Sequence, residues 1–234
     1  MIPKIIHYCW LGNAPKDKKV QRCIESWKKF LPDYEIKEWN NSNVDLDMMP
    51  FVRKAYECGK FAFASDVIRL WALYNYGGIY FDTDVEVVKS FDALLFSKGF
   101  IGFENDSFVN TGQCVAAEKG SRIIGDMIEF YKNFELLEQG GAYKFIGCPI
   151  VNTEVLKNYG LVCNGQKQDL DGFIVYPAEY FNPYNDIIGK LSLTENTYSI
   201  HWYSKSWMSR KKILRSKLSK PLHRFLNMIK NNKR

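Results

Sequence analysis

Two aspartates one residue apart, Asp82 and Asp84, close the apolar run Gly77-Gly78-Ile79-Tyr80-Phe81. On a strand, side chains at i and i+2 share a face, so the two carboxylates point the same way. At the C-terminal end of a parallel strand they stand in the crevice where α/β folds bind ligands. Paired carboxylates there suit a hard divalent cation such as Mg²⁺ or Mn²⁺, which takes oxygen ligands and shares them with phosphates. A second triplet of this kind, Asp45-Leu46-Asp47, reads as a solvated loop. Asp66 and Arg69 lie three residues apart in Ala64-Ser65-Asp66-Val67-Ile68-Arg69, hence on one face of a helix. That spacing alone also describes a surface ion pair worth a few tenths of a kcal/mol.

Other phosphate and hydrolase signatures are missing from the chain. It has no Gly-x-x-x-x-Gly-Lys-Ser/Thr, no Gly-x-Gly-x-x-Gly after a strand, no Gly-x-Ser-x-Gly and no His-Glu-x-x-His. This argues against P-loop NTPases, Rossmann dehydrogenases, serine hydrolases and zincins. If the chain binds a nucleotide, its phosphates have to be met another way, and a cation on Asp82 and Asp84 offers one.

The elements that must hold these groups follow from hydrophobic periodicity and its punctuation. Phe61 to Tyr76 is an uninterrupted helix stopped by Gly77-Gly78, with Val67, Leu70, Leu73 and Tyr74 as the flank that packs on a sheet. Strands are expected at Lys4–Trp10, Tyr34–Trp39 and Ile79–Asp82, with extended pieces at Val85–Val88, Phe100–Glu104 and Asn110–Ala117. Helices are expected at Pro15–Phe30, 47–58, Ser121–Phe134 and 150–159, with late strands near 173–176 and 197–203. Strands alternating with helices predict an α/β domain with a mainly parallel central sheet.

Composition narrows the class. The chain has 234 residues, 46% hydrophobic and 25% charged, which suits a folded chain of one large domain or two small ones. The net charge of +6 is uneven: residues 209–234 hold ten Lys or Arg and no acid, which leaves the preceding 208 residues at −4. An acidic body does not suit a nucleic-acid enzyme. The six cysteines (9, 23, 58, 114, 148, 163) include no Cys-x-x-Cys and no cluster with histidine, and read as reduced, mostly buried thiols. No run is long and apolar enough to span a membrane, and Met1 to Gly12 lacks the pattern of a signal peptide.

The segment Phe63-Ala-Ser-Asp-Val-Ile-Arg-Leu, followed by Tyr-Gly-Gly-Ile-Tyr80-Phe-Asp-Thr-Asp84, resembles the sugar-binding region of glycosyltransferase family 32. It is also similar to the catalytic domain of the large clostridial glucosylating toxins. Ile2-Pro3-Lys4-Ile5-Ile6-His7-Tyr8-Cys9-Trp10-Leu11-Gly12 resembles the family's opening strand, and His201-Trp202 with Ser206-Trp207 its closing motif. The resemblance covers residues 2–12 and 60–88 most closely, with weaker stretches at 108–117 and 197–207.

The resemblance implies a GT-A fold, Rossmann-like, and retaining sugar transfer from a nucleotide sugar, a UDP-sugar being the expected donor, with Mn²⁺ or Mg²⁺. It implies Asp84 as direct metal ligand, Asp82 on the donor or on the metal through water, and His201 completing the metal shell. Asp66 and Arg69 would bind the donor sugar, Trp10 the nucleobase, Lys205 the β-phosphate and Asn110 the sugars, with Trp207 capping the donor. His7, in an apolar strand, reads as structural. With no carboxylate announcing itself as a nucleophile, front-face attack is the favoured retaining route.

Residues 1–208 are thus expected to form the transferase domain and 209–234 a basic amphipathic tail. Leu214, Leu218, Leu222, Phe225, Leu226 and Ile229 recur at helical spacing between cationic residues. This is the composition of a helix lying on an anionic membrane surface, and equally of one packed on the domain. The expected setting is capsule or exopolysaccharide synthesis at the cytoplasmic face of the plasma membrane, on a glycan or lipid-linked acceptor. The competing classes are a metal-dependent nucleotidyl- or phosphotransferase and a non-catalytic, membrane-associated carbohydrate-binding protein.

Overall fold

The computed structural model describes residues 1–204 together with Lys220 and Pro221. In chain order the elements are β1 (Ile5–Cys9), α1 (Lys18–Phe30), β2 (Glu35–Trp39), α2 (Pro50–Glu57), α3 (Phe61–Tyr76), β3 (Gly78–Tyr80), β4 (Val85–Val87), β5 (Gly99–Asn105), β6 (Phe108–Ala117), α4 (Arg122–Lys132), β7 (Glu138–Gln139), β8 (Ala142–Tyr143), α5 (Cys148–Lys157), β9 (Gln168–Leu170), β10 (Phe173–Tyr176), α6 (Ala178–Phe181), β11 (Tyr184–Asn185), β12 (Lys190–Leu191) and β13 (Ser199–His201).

Seven strands form the central sheet in the order β2-β1-β3-β6-β5-β10-β9. Strands β2, β1, β3, β5 and β10 run one way, and β6 and β9 run the other. The α/β expectation with a mainly parallel sheet therefore holds. Side chains alternate between the two faces, as the two-residue period of a strand requires. On β6, Val115 and Ala117 enter a core with α2, α3, α4 and α5, whereas Cys114 and Ala116 enter the opposite core with Trp27 of α1.

Helix α3 matches its expected span, and Val67, Leu70 and Leu73 are buried as expected. Tyr74 is not: it is 41% exposed and its ring lies over Gly125 of α4. The helix stops where two left-handed residues follow, Gly77 at φ 66° and Gly78 at φ 111°. A Cβ on Gly78 would lie 2.5 Å from the Ile5 carbonyl oxygen, so glycine here lets β3 come hard against β1.

Two departures from the sequence expectation bear on the site. Strand β3 ends at Tyr80, and Asp82-Thr83-Asp84 form a tight turn closed by Val85 N–H donating to the Asp82 carbonyl (3.0 Å). The carboxylates meet because the chain turns, not because they share one face of a strand. Strands β5 and β6 also slip register twice: Ile101 pairs Val115 while Gly102 pairs Asn110, and Phe103 pairs Val109 while Asn105 pairs Phe108. The first slip lets Thr111 and Gly112 bow out of β6 towards the turn. The second leaves Glu104 as the extra residue of a β-bulge, a device that re-aims a side chain.

Candidate active site

The site lies at one end of the sheet, where β1, β3 and β5 all finish, in a cavity of about 620 Å³. Trp10, Asp66, Arg69, Asp82, Asp84, Glu104, Asn110 and His201 all line it. The fold thus brings together every sequence-predicted site residue among those described. Lys205 and Trp207, and the 209–234 tail apart from Lys220 and Pro221, lie outside the described residues.

Arg69 is the cationic centre. Its side chain is 2% exposed and reaches Asp66 at 3.1 Å and Asp82 at 2.8 Å, one guanidinium between two carboxylates. It also donates to Thr111 Oγ1 (3.0 Å) and Cys148 Sγ (3.3 Å), and stacks 4.7 Å from the Tyr80 ring centre. The surface ion-pair reading of Asp66 and Arg69 is excluded by this burial. Burial pushes the Asp66 carboxyl up to about 6; Arg69 opposes that shift and Asp82 adds to it. Asp82 is raised too, by burial first and by its neighbour Asp84, again against Arg69. Tyr80 donates to Asp82 Oδ1 (2.9 Å), fixing the carboxylate from its own strand.

Asp82, Asp84 and His201 each present a ligand atom, and these lie within 4.8 Å of one another. His201 arrives from a distant part of the sequence because β13 pairs antiparallel with β4, setting His201 opposite Val85. Trp202 N–H donates to the Asp84 carbonyl (3.0 Å) and Ser204 N–H to Asp84 Oδ2 (2.6 Å), so the closing segment is stitched to the acidic turn. His201 Nε2 stands 3.2 Å from Asp84 Oδ1, and its Nδ1 is buried without a hydrogen-bond partner. Burial works against ionising both partners. The attraction between them wins, holding Asp84 down at about 2 and raising His201. Two carboxylates and an imidazole form a donor set that fits a divalent cation.

Asn110 is buried and spent on protein contacts: its Oδ1 accepts from Gly112 N–H (2.7 Å) and its Nδ2 donates to Glu104 Oε2 (3.4 Å). Trp10 follows β1, half-buried, with its indole N–H on the Ala14 carbonyl (2.9 Å). His7 is fully buried and donates from Nε2 to the Gly77 carbonyl (2.7 Å) while its Nδ1 accepts from Trp39 (3.1 Å). Only the neutral ring makes both bonds, and burial lowers its pKa to about 4. It is a structural histidine that pins the Gly77-Gly78 turn beneath the site.

Sequence reasoning missed Tyr80, Glu104, Thr111, Gly112, Cys148 and Tyr203. Most carry no local signal, because bulges or the start of α5 deliver them. Glu104 had one: like Asp82, it is an acid closing an apolar run, Phe100-Ile101-Gly102-Phe103.

Residues 17–101 match the family described as glycosyltransferase sugar-binding region containing DXD motif. The chain is 36% identical over 105 residues to inositol phosphoceramide mannosyltransferase 3 of Schizosaccharomyces pombe, covering 40% of this chain and 27% of that protein. It is 31% identical over 124 residues to Toxin Afp18 of Yersinia ruckeri, covering 50% of this chain and 6% of the toxin. The chain thus spans well under half the length of the curated relatives it matches. A solved PaToxG glycosyltransferase superposes with a TM-score of 0.53 at 25% identity, covering 67% of this chain and 69% of that one. A solved glycosyltransferase involved in glycosylation of the major capsid of PBCV-1 shares the fold, with a TM-score of 0.51 at 11% identity over 90% of this chain and 97% of its own. The resemblance read from the sequence therefore holds: residues 17–101 are similar to the sugar-binding region of DXD-containing glycosyltransferases, and the chain shares its fold with solved glycosyltransferases.

Proposed function

We propose that this protein is a retaining, metal-dependent glycosyltransferase that moves a sugar from a nucleotide sugar, a UDP-sugar being the first choice, to a hydroxyl of a glycan or lipid-linked acceptor. The observation that carries this reading is the meeting of Asp82, Asp84 and His201 beside the Asp66–Arg69–Asp82 network in one cavity. Asp84, Asp82 and His201 would hold Mn²⁺ or Mg²⁺. A cation bound there supplies charge that stabilises the diphosphate as negative charge grows on it.

The other roles fall to the chain's own side chains. Trp10 offers a face for the base, and Asp66 and Arg69 offer an acceptor and a rigid fork of donors for sugar hydroxyls. Asn110 supports Asp82 through Gly112 rather than standing free for the sugar. In the transfer, the bond from the anomeric carbon to the diphosphate oxygen breaks and its electron pair leaves with the diphosphate. A lone pair of the acceptor oxygen forms the new bond on the same face, and the acceptor proton passes to the departing diphosphate. Lys205 on the β-phosphate and Trp207 as a cap complete the reading.

Capsule or exopolysaccharide synthesis at the cytoplasmic membrane face is the setting that suits it, with residues 209–234 on anionic lipid. No helix among the described residues is long and apolar enough to cross a membrane. Deleting 209–234 should release the protein from anionic vesicles while donor hydrolysis persists, and equal vesicle binding by both forms would sink the membrane part.

The test of the main reading is a thermal-shift panel of UDP-, GDP- and CMP-sugars with and without Mn²⁺. A ligand at ~100 times its dissociation constant stabilises the native state by ~2.7 kcal/mol. One nucleotide sugar should raise Tm only when Mn²⁺ is present, and Asp84→Ala should erase that shift. A panel with no response refutes the reading.

A further inference from the structure

Glu104 is a carboxylate in the cavity that the reading above leaves without a task. It occupies the β-bulge near the end of β5, and the bulge turns it into the cavity. Its oxygens are steadied from two sides, Oε2 by Asn110 Nδ2 (3.4 Å) and Oε1 by the Tyr203 hydroxyl (3.3 Å). Tyr203 is itself built for this. It holds a left-handed backbone at φ 50°, an uncommon conformation for a residue with a Cβ, and its ring lies 4.2 Å from that of His201. Asn182 Nδ2 donates to the Tyr203 oxygen (2.6 Å), which leaves the tyrosine's own proton for Glu104. Asn182 also holds the Glu104 carbonyl (3.0 Å). An ionised carboxylate accepts about four hydrogen bonds, so capacity remains on both oxygens.

Its place along the sheet says what it faces. Strands β1, β3 and β5 run the same way, and β6 separates β3 from β5. With strands ~4.8 Å apart, the end of β3 lies one strand spacing from that of β1, and the end of β5 lies two spacings further, ~10 Å on. Trp10 follows β1, the acidic turn follows β3, and Glu104 is at the end of β5. A nucleotide sugar laid from Trp10 to the acidic turn points its sugar towards β5. Beyond that sugar, on the side where Ser204 N–H holds Asp84 and the Tyr203 ring lies against His201, Glu104 is the next carboxylate among the described residues.

We infer that Glu104 is the acceptor-binding residue: its two oxygens take hydrogen bonds from neighbouring hydroxyls of an acceptor sugar and present the attacking hydroxyl to the anomeric carbon. This rests on the glycosyltransferase reading. Tyr203 is its positioning residue.

The test uses the full chain with Mn²⁺, the nucleotide sugar selected by the thermal-shift panel, and methyl glycosides of glucose, galactose and mannose as acceptor probes. Glu104→Gln and Glu104→Ala should raise the acceptor KM about tenfold to a hundredfold, the range for one or two hydrogen bonds to a charged group. The donor dissociation constant, read by calorimetry, should not follow. Monodeoxy acceptors that wild type rejects should be discriminated less by both variants. Tyr203→Phe should raise the acceptor KM a few-fold, and it carries the test if the Glu104 variants fail to fold.

An unchanged acceptor KM overturns the inference. So does a donor affinity that falls in parallel, which would place Glu104 on the donor, or a wild type that hydrolyses its donor and glycosylates none of the probes. A wild type that neither binds nor turns over any nucleotide sugar overturns the functional reading instead.

Discussion

Gly112→Ala isolates the placement of Asp82 from its chemistry. Gly112 is not at positive φ, so alanine is admissible for the backbone. Its Cβ, however, would lie 2.4 Å from Asp82 Oδ2 and 3.1 Å from Asn110 Oδ1. Ordinary contact begins near 3.4 Å, so the carboxylate has to retreat by about 1 Å. It has little room, because Oδ1 is tied to Arg69 at 2.8 Å and to Tyr80 at 2.9 Å, while Asp82 N–H is tied to the Gly112 carbonyl at 3.0 Å. Losing one charge-assisted hydrogen bond costs ~1.5–3 kcal/mol, and misplacing a reacting group by ~1 Å costs on the order of a hundredfold in rate. Both routes give a fall of about tenfold to a hundredfold in kcat/KM for nucleotide-sugar turnover. The assay is turnover, with Mn²⁺ affinity by calorimetry, at a temperature well below the variant's Tm. If kcat/KM and Mn²⁺ affinity both stay within about twofold, the bulge on β6 does not set the geometry that matters, and the reasoning fails.

Three further outcomes follow from the buried titratable groups. Asp84→Asn removes the largest attraction that raises His201, so burial, opposed now by Asp82 and Glu104, should bring the His201 pKa down, and NMR titration of the metal-free variant would catch a failure to fall. Arg69→Met leaves the buried Asp66 and the half-buried Asp82 without their cation, a loss of ~3–5 kcal/mol that urea unfolding should read, whereas Arg53→Met, at an exposed pair with Asp47, should leave the unfolding midpoint nearly unchanged. His7 is held neutral in the fold, its pKa lowered from 6.5 to about 4. Between those values the unfolded chain binds the extra proton, so the His7 contribution should weaken as pH falls from 6.5 towards 4, by up to ~3 kcal/mol at ~1.4 kcal/mol per unit. Unfolding free energies of wild type and His7→Gln across that range should converge at the acid end, and parallel curves would contradict the neutral assignment.

Some of this was legible before any fold was in view. The span of α3, the Gly77-Gly78 stop, the paired acids and the α/β class follow from periodicity and turn chemistry, which act over a few residues. The strand argument for Asp82 and Asp84 reached the right pair through the wrong geometry, since β3 stops at Tyr80 and a turn gathers the carboxylates. The helical spacing of Asp66 and Arg69 was visible, but not that Arg69 is shared with Asp82, because that contact spans α3 and the turn.

The sequence by itself determined which groups were available and which short segments would be helix, strand or stop, because those choices rest on nearest neighbours along the chain. Only the tertiary structure decided that His201 meets Asp84, that Gly112 presses on Asp82 and that Glu104 turns into the cavity. Each depends on strand pairing between distant segments or on a slip of register. A register slip depends on what two strands bury together rather than on the residues of either one.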